Sequence, residues 1–313
     1  MPATPPSFFH ELPLRCSLTG RLAILTQEIS ANPSELIIRH ERVDLRIRLS
    51  PTNVLLIHEE TIPERVAELK ESFVRDGIVR DPVVIDDRSH VVLDGMHRVV
   101  ALREMGCLNL PVCAVDYSDP SIKVGVWYRT LPRRLPIDAY EKALSLVGVK
   151  LERFSFNINE LLENAPLATI FSSGDCFKLR SSEMETYDVL RKAEQCLSQF
   201  SPTIHFETER DALNKLANKQ ADVVVTLPRI DKAAVRTAGL TGRLLPHKVT
   251  RHMIPARPLG VDAPLGTLMD ASIALEDANH QFVQSLRGRE VARRPRGSII
   301  EDRRYEEETF VFN

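Results

Sequence analysis

Apolar residues in the first third of the chain alternate in short runs and then lengthen to helical spacing. In "ELIIRH" and "VDLRIRL" every second residue or so is apolar, the period of half-buried strands. Asn53 to Ile57 reads as a further strand. Thr61, Ile62, Pro63 and Glu64 then form a capping-box pattern with proline in the first turn. Val66, Leu69 and Phe73 share one face of the helix that follows, which ends near Gly77. "DPVVIDD" and "VVLD" read as strands joined by Arg88, Ser89 and His90. A short helix follows Gly95, then come the strands "NLPVCAVDY" and "IKVGVWYRT", the last closing this block.

Beyond Pro136 the rhythm changes. "DAYEKALSLVGV", "EMETYDVLRKAEQCLSQF" and "ERDALNKLANKQ" read as helices between the strand-like "ATIFSS", "CFKLR", "TIHFE" and "ADVVVTLP". In "LGTLMDASIALEDANHQFVQSL", Leu268, Leu275, Phe282 and Leu286 recur at helical spacing and should pack on something. The pattern predicts an α+β protein in four parts: an extension with short strands over 1–50, a core over 51–136, a second α/β domain over 137–257, and a helix with a charged tail over 258–313.

Composition narrows the class. Of 313 residues 43% are apolar and 27% charged, with a net charge of −2, so no overall field attracts nucleic acid or an acidic membrane. Five scattered cysteines (Cys16, Cys107, Cys113, Cys176, Cys196), none in a C-x-x-C pair, point to reduced thiols rather than a disulfide frame. The start "MPATPPSFFHELPLR" lacks a cationic, then apolar, leader, and no apolar run is long enough to span a bilayer. A cytoplasmic protein is expected.

Three clusters carry candidate chemistry. In "VVLDGMHRVVAL" a strand turns into a helix at Gly95. The helix's free N–H groups suit phosphate, glycine allows close approach, and His97 and Arg98 can add donors. Asp94 beside a phosphate implies a bridging cation such as Mg²⁺, unless it is only a helix cap. In "HEET", Glu59 at a strand end could act as a general base, or Glu59 and Glu60 could be acids placed before a helix. In "KVTRHMIP", Thr250, Arg251 and His252 could clamp a small carboxylate, or form an ordinary polar loop.

Together these segments resemble the free L-serine kinases built on the ParB/sulfiredoxin-like fold, which phosphorylate the amino acid itself. "LLIHEE" resembles the family's His-Glu segment, and "LDGMHRVVAL" its Asp-Gly-His-His-Arg signature. "DYSDPSIKVGVWY" resembles its acidic turn and Trp-Tyr strand, and "VTRHMIP" its late Thr-Arg-His segment. The resemblance runs from Leu55 to Pro258. It implies a ParB/sulfiredoxin-like nucleotide-binding domain followed by a second α/β domain, with a cleft between them. It implies phosphoryl transfer from ATP or ADP, with Mg²⁺, to L-serine. Glu59 takes the place of the base and Asp94 that of the acid that positions the metal. Gly95, Met96, His97 and Arg98 take the place of the phosphate turn. Ser72, Trp127, Thr250, Arg251 and His252 fall at the serine pocket. Met96 replaces the first histidine of the signature and cannot donate a hydrogen bond, so contacts there must come from the backbone.

Two other functions compete. A ParB-like regulator binding nucleotide and DNA could use the Arg-rich stretch 287–296, although no helix-turn-helix follows the core. A sulfiredoxin-type reductase would need a cysteine where Met96 stands; the nearest thiol, Cys107, comes after the helix.

Overall fold

In the computed structural model, residues 29–313 are described apart from 33, 133, 134, 156 and 202. The Pro-rich start and Cys16 lie outside them. The first part of the chain runs β1 (Ile29–Asn32), β2 (Glu35–Arg39), β3 (Asp44–Pro51), α1 (Pro63–Asp76), β4 (Ile78–Val79), β5 (Val83–Asp86), β6 (Val92–Asp94), α2 (Met96–Glu104) and β7 (Asn109–Val115). The middle part runs β8 (Lys123–Leu131), α3 (Ile137–Leu146), β9 (Lys150–Arg153), α4 (Ile158–Asn164), β10 (Ala168–Phe171), β11 (Cys176–Arg180), α5 (Thr186–Ser198), β12 (His205–Thr208), α6 (Glu209–Ala217), β13 (Val223–Thr226), α7 (Lys232–Thr241) and β14 (Thr250–Met253). The last part runs β15 (Ala256–Leu259), β16 (Ala263–Pro264), α8 (Leu265–Met269), α9 (Leu275–Arg287), β17 (Val291–Arg294), β18 (Ile299–Ile300), β19 (Arg303–Arg304) and β20 (Glu308–Phe312).

Alternation in β3 buries Leu45, Ile47 and Leu49, the period-two pattern of a sheet with one face covered. The six-stranded sheet has the order β1-β2-β3-β7-β5-β6, antiparallel except for the β5–β7 pair. Helix α9 covers it with Phe282, Val283 and Leu286. Asn279 of α9 ties down two backbones, accepting from the Leu49 N–H (2.7 Å) and donating to the Ser34 carbonyl (2.6 Å). Residues 35–50 are therefore part of the first sheet rather than an appendage to it.

The second sheet has the order β12-β8-β13-β10-β11-β9, with β14 also paired to β8, and all its pairs are antiparallel. Strand β8, read from sequence as closing the first block, is the spine of this sheet. The change of sheet thus falls between β7 and β8, ahead of residue 136. Helix α7, which follows β13 of the second sheet, reaches across to the first. Its Arg236 donates to the fully buried Asp86 (3.0 Å). Its Gly239 lies so near Val91 that a Cβ there would approach within 2.8 Å.

Several local expectations change. Asn53 to Ile57 is a short 3-10 turn (Thr52–Val54) followed by a single bridge from Leu56 to Val91. The capping box does not form: Ile62 caps α1 without a side-chain bond, and its own N–H goes to His97 Nε2 (3.0 Å). Gly77 does end α1 in the left-handed region, φ 69°. The long apolar pattern over 265–286 is two helices, broken where Asp270 accepts from the Ser272 N–H; Leu275 stays exposed at the start of α9. The charged tail folds into a small sheet in which β20 lies between β15 and β17. Among the described residues no helix is long and apolar enough to cross a membrane.

Candidate active site

Strand β6 ends at Asp94, Gly95 adopts φ 98°, and α2 starts at Met96. The first intrahelical bond runs from the Val99 N–H to the Gly95 carbonyl. The amides of Met96, His97 and Arg98 are thus the unpaired donors of a helix N-terminus. Gly95 is required twice over: its φ disfavours a side chain, and a Cβ would come within 2.8 Å of Arg98 Nη2. Arg98 folds back across it, donating through Nη1 to the carbonyls of Asp81 (2.8 Å) and Pro82 (2.9 Å) and through Nη2 to Asp94 (3.2 Å). It braces the turn, rather than pointing its fork at a ligand as expected from sequence.

This turn opens on a cavity of about 460 Å³, lined by all eleven residues singled out in the sequence: Glu59, Ser72, Asp94, Gly95, Met96, His97, Arg98, Trp127, Thr250, Arg251 and His252. Their environments differ. His97 accepts the Ile62 N–H at Nε2, which leaves hydrogen on Nδ1. Burial, with Lys248 and Arg65 nearby, lowers its pKa and keeps it neutral. Ser72 bonds within its own helix, to Asp76 and Arg75.

Glu59 is only 3% exposed. Its Oε2 accepts from the Lys248 N–H (3.1 Å), and Oε1 from the Thr250 N–H (2.5 Å) and Thr250 hydroxyl (2.5 Å). Burial raises its pKa despite the Thr250 bonds and the Lys248 charge. Lys248 reaches it from a left-handed conformation, φ 58°. Glu60 instead turns away to pair with Arg191 of α5 (2.9 Å). The 247–248 backbone is held by Arg129 of β8, fully buried and paired with Glu194, which donates to the Trp127, His247 and Lys248 carbonyls.

Arg251 pairs with Glu209 (3.1 Å) and lies over Trp127, 5.7 Å from the ring centroid; among the described residues its buried Nε has no hydrogen-bond partner. Gly125 permits this approach, since a Cβ there would meet Glu209 at 3.0 Å and Arg251 at 3.3 Å. His252 accepts from the Tyr117 hydroxyl (2.8 Å) and bonds the Leu93 backbone; burial and the neighbouring His58 push its pKa down to about 3 against that bond. With both ring nitrogens occupied it has no donor left for a carboxylate, contrary to its expected place in a serine clamp. Thr250 likewise directs both its N–H and its hydroxyl at Glu59.

Sequence reasoning missed Arg257, Arg303 and Lys248. Arg257 donates to Asp94 (2.9 Å) and pairs with Glu307 of the folded tail. Burial works against charge on Asp94, but Arg257, Arg98 and Arg303 hold its carboxyl well below the usual carboxylate range. Both close guanidinium contacts fall on Oδ2, and neither on Oδ1. Among the described residues no group of three or more His, Cys, Asp or Glu could hold a metal.

The reductase reading loses its support, and the regulator reading is weakened. Cys107 is buried, and burial pushes its thiol up to about 11, so it is no reactive thiolate. In the Arg-rich stretch, Arg289 bonds Asp262, and Arg293 of β17 bonds Glu308 of β20.

No family model matches the chain. Curated relatives do. An ATP-dependent L-serine kinase of Staphylothermus marinus is 26% identical over 227 residues, covering 68% of this chain and 88% of that protein. The ADP-dependent L-serine kinase SerK of Thermococcus kodakarensis is 22% identical over 226 residues, covering 67% and 88%. A ParB-like protein of Sulfolobus acidocaldarius matches over 74 residues only, at 32% identity. The solved structure of a free serine kinase in complex with AMP superposes with a TM-score of 0.61 at 18% identity, covering 78% of this chain and 97% of that one. Over about two thirds of its length the chain therefore resembles the L-serine kinases in sequence, and it shares the fold of a solved free serine kinase.

Proposed function

We propose that the protein is a kinase that transfers a phosphoryl group from a nucleoside triphosphate or diphosphate to the hydroxyl of free L-serine, giving O-phospho-L-serine. The observation that carries this is a buried carboxylate, Glu59, and the free amides of a glycine-led helix lining one cavity. Phosphoryl transfer asks little covalent chemistry of a protein. It needs positioning, charge neutralisation and an oriented nucleophile.

The amides of Met96, His97 and Arg98 would take phosphate oxygens, with the Nδ1–H of His97 as a side-chain donor beside them. Met96 contributes only its backbone. Asp94 would hold Mg²⁺, whose charge offsets that of the phosphates; Arg257 and Arg98 keep Asp94 ionised for that role. The unpartnered Nε of Arg251 would bind the serine carboxylate against Trp127. Glu59, whose raised pKa makes it a better proton acceptor than an exposed carboxylate, would take the hydroxyl proton. The 51–136 and 137–257 division is best recast as two sheets, with the cavity formed where β6 and α2 of the first meet β8 and β14 of the second. The named relatives include both ATP- and ADP-dependent enzymes. Incubation with L-serine and Mg²⁺ plus either nucleotide, with mass detection of phosphoserine, tests the activity and identifies the donor.

A further inference from the structure

The hydrogens around Glu59 do not balance if Glu59 is treated alone. His58 is fully buried, and its Nδ1 lies 2.7 Å from the Val92 carbonyl. A carbonyl carries no hydrogen, so Nδ1 must. Its Nε2 lies 2.9 Å from Thr250 Oγ1, which in turn lies 2.5 Å from Glu59 Oε1. A threonine hydroxyl has one hydrogen, and these two contacts need two. With His58 neutral and Glu59 ionised, one contact sets lone pair against lone pair. Both are satisfied only when His58 and Glu59 together hold one further proton, either on Nε2 or on the carboxyl. Thr250 sits where it can hand that proton across.

We propose that Glu59, Thr250 and His58 form a one-proton relay that receives the hydrogen released by the acceptor hydroxyl. The proposal rests on the kinase reading. Glu59 is the catalytic residue; Thr250 and His58 act through it as positioning residues. In the step, the serine oxygen bonds the transferred phosphorus as the bond from phosphorus to the nucleotide's bridging oxygen breaks, its electron pair staying on that oxygen. The serine proton passes to Glu59. The Thr250 hydroxyl hydrogen can then move to His58 Nε2 and be replaced by the one from Glu59. The relay thus enters the step one proton short and leaves it with both contacts satisfied. The proton returns to solvent through Glu59 when products depart.

Burial acts on both acceptors, raising Glu59 and lowering His58 to about 4. The groups facing the relay are Lys248 beside Glu59, Tyr187 of α5, His252 of β14, edge-on to His58 at 5.4 Å, and Asp94 of β6 behind His252. Two neighbouring acceptors sharing a proton titrate as a pair, not as separate residues.

His58→Gln tests it. Glutamine can donate to Thr250 but cannot take up the proton, so Thr250 is fixed as a donor to Glu59. The acid limb of the kcat profile should then move down by about one pH unit or more, and the plateau should fall severalfold. Thr250→Val should lower kcat far more than it changes the serine KM, and Thr250→Ser, which keeps the hydroxyl, should recover most of the loss. An acid limb unmoved in His58→Gln overturns the relay. NMR of wild-type protein labelled at histidine nitrogen and glutamate Cδ needs neither variant nor turnover. Both probes reporting the same midpoint for loss of the shared proton supports the relay, and each probe following a midpoint that the other does not report overturns it. Wild-type protein that makes no phosphoserine overturns the kinase reading instead, and the NMR titration tells that failure from a failed relay.

Discussion

Glu59 and Arg251 divide the work at the scale of single residues. Glu59→Gln keeps the shape and can still accept hydrogen bonds, but it cannot take a proton. Turnover should fall by a factor on the order of 10² to 10⁴, with nucleotide affinity nearly unchanged by calorimetry. Near wild-type turnover would remove Glu59 from the base role, and Glu60 could not inherit it while paired with Arg191. Arg251→Ala removes a donor rather than a base. A charge-assisted bond is worth about 1.5–3 kcal/mol, so the serine KM should rise roughly 10- to 100-fold while nucleotide affinity holds. Equal losses in both would make this segment part of the nucleotide site. The strand end, glycine turn and helix start at Asp94, Gly95 and Met96 were legible in sequence because they are local events. The bonding of Arg98, Thr250 and His252 was not, because their partners lie elsewhere in the chain: Asp81 and Pro82, Glu59, and Tyr117.

The elements matter through what they hold still. Arg129 of β8 is buried with Glu194, and it fixes the carbonyls on either side of the peptide whose N–H reaches Glu59. Arg129→Met leaves a carboxylate and three carbonyls without their donor. Removing one partner of a buried pair costs about 3–5 kcal/mol, so the denaturant midpoint should drop steeply. A midpoint within error of wild type would show that the 247–248 backbone needs no such brace. The sequence hid this because β8 follows the first sheet's strands directly and its alternation says nothing of which sheet it joins. The tail was similarly opaque. Its charges gave no sign of a sheet, whereas pairing of β20 with β15 brings Glu307 beside Arg257.

For the molecule as a whole, two sheets close on a site whose histidines are kept neutral. Burial, with neighbouring cations and imidazoles, pushes His252 down to about 3 and His247 to about 4, against roughly 6.5 in an unfolded chain. Between pH 6.5 and about 4 the unfolded chain therefore binds protons that the folded one does not. Stability is fully present above that window and falls with pH inside it, by less than about 1.4 kcal/mol per unit for each of these partly buried histidines. Urea midpoints that stay flat from pH 7 to 4.5 would contradict this. The central claim is that the acceptor is free serine, and one assay bears on it most directly: phosphorus NMR of the protein with Mg²⁺, L-serine and ATP or ADP, run beside L-threonine, L-alanine and a serine-containing peptide. The account predicts O-phosphoserine in step with nucleotide consumed, and no phosphorylated product from the other three. Nucleotide consumption without phosphoserine, or equal phosphorylation of the peptide, would contradict it.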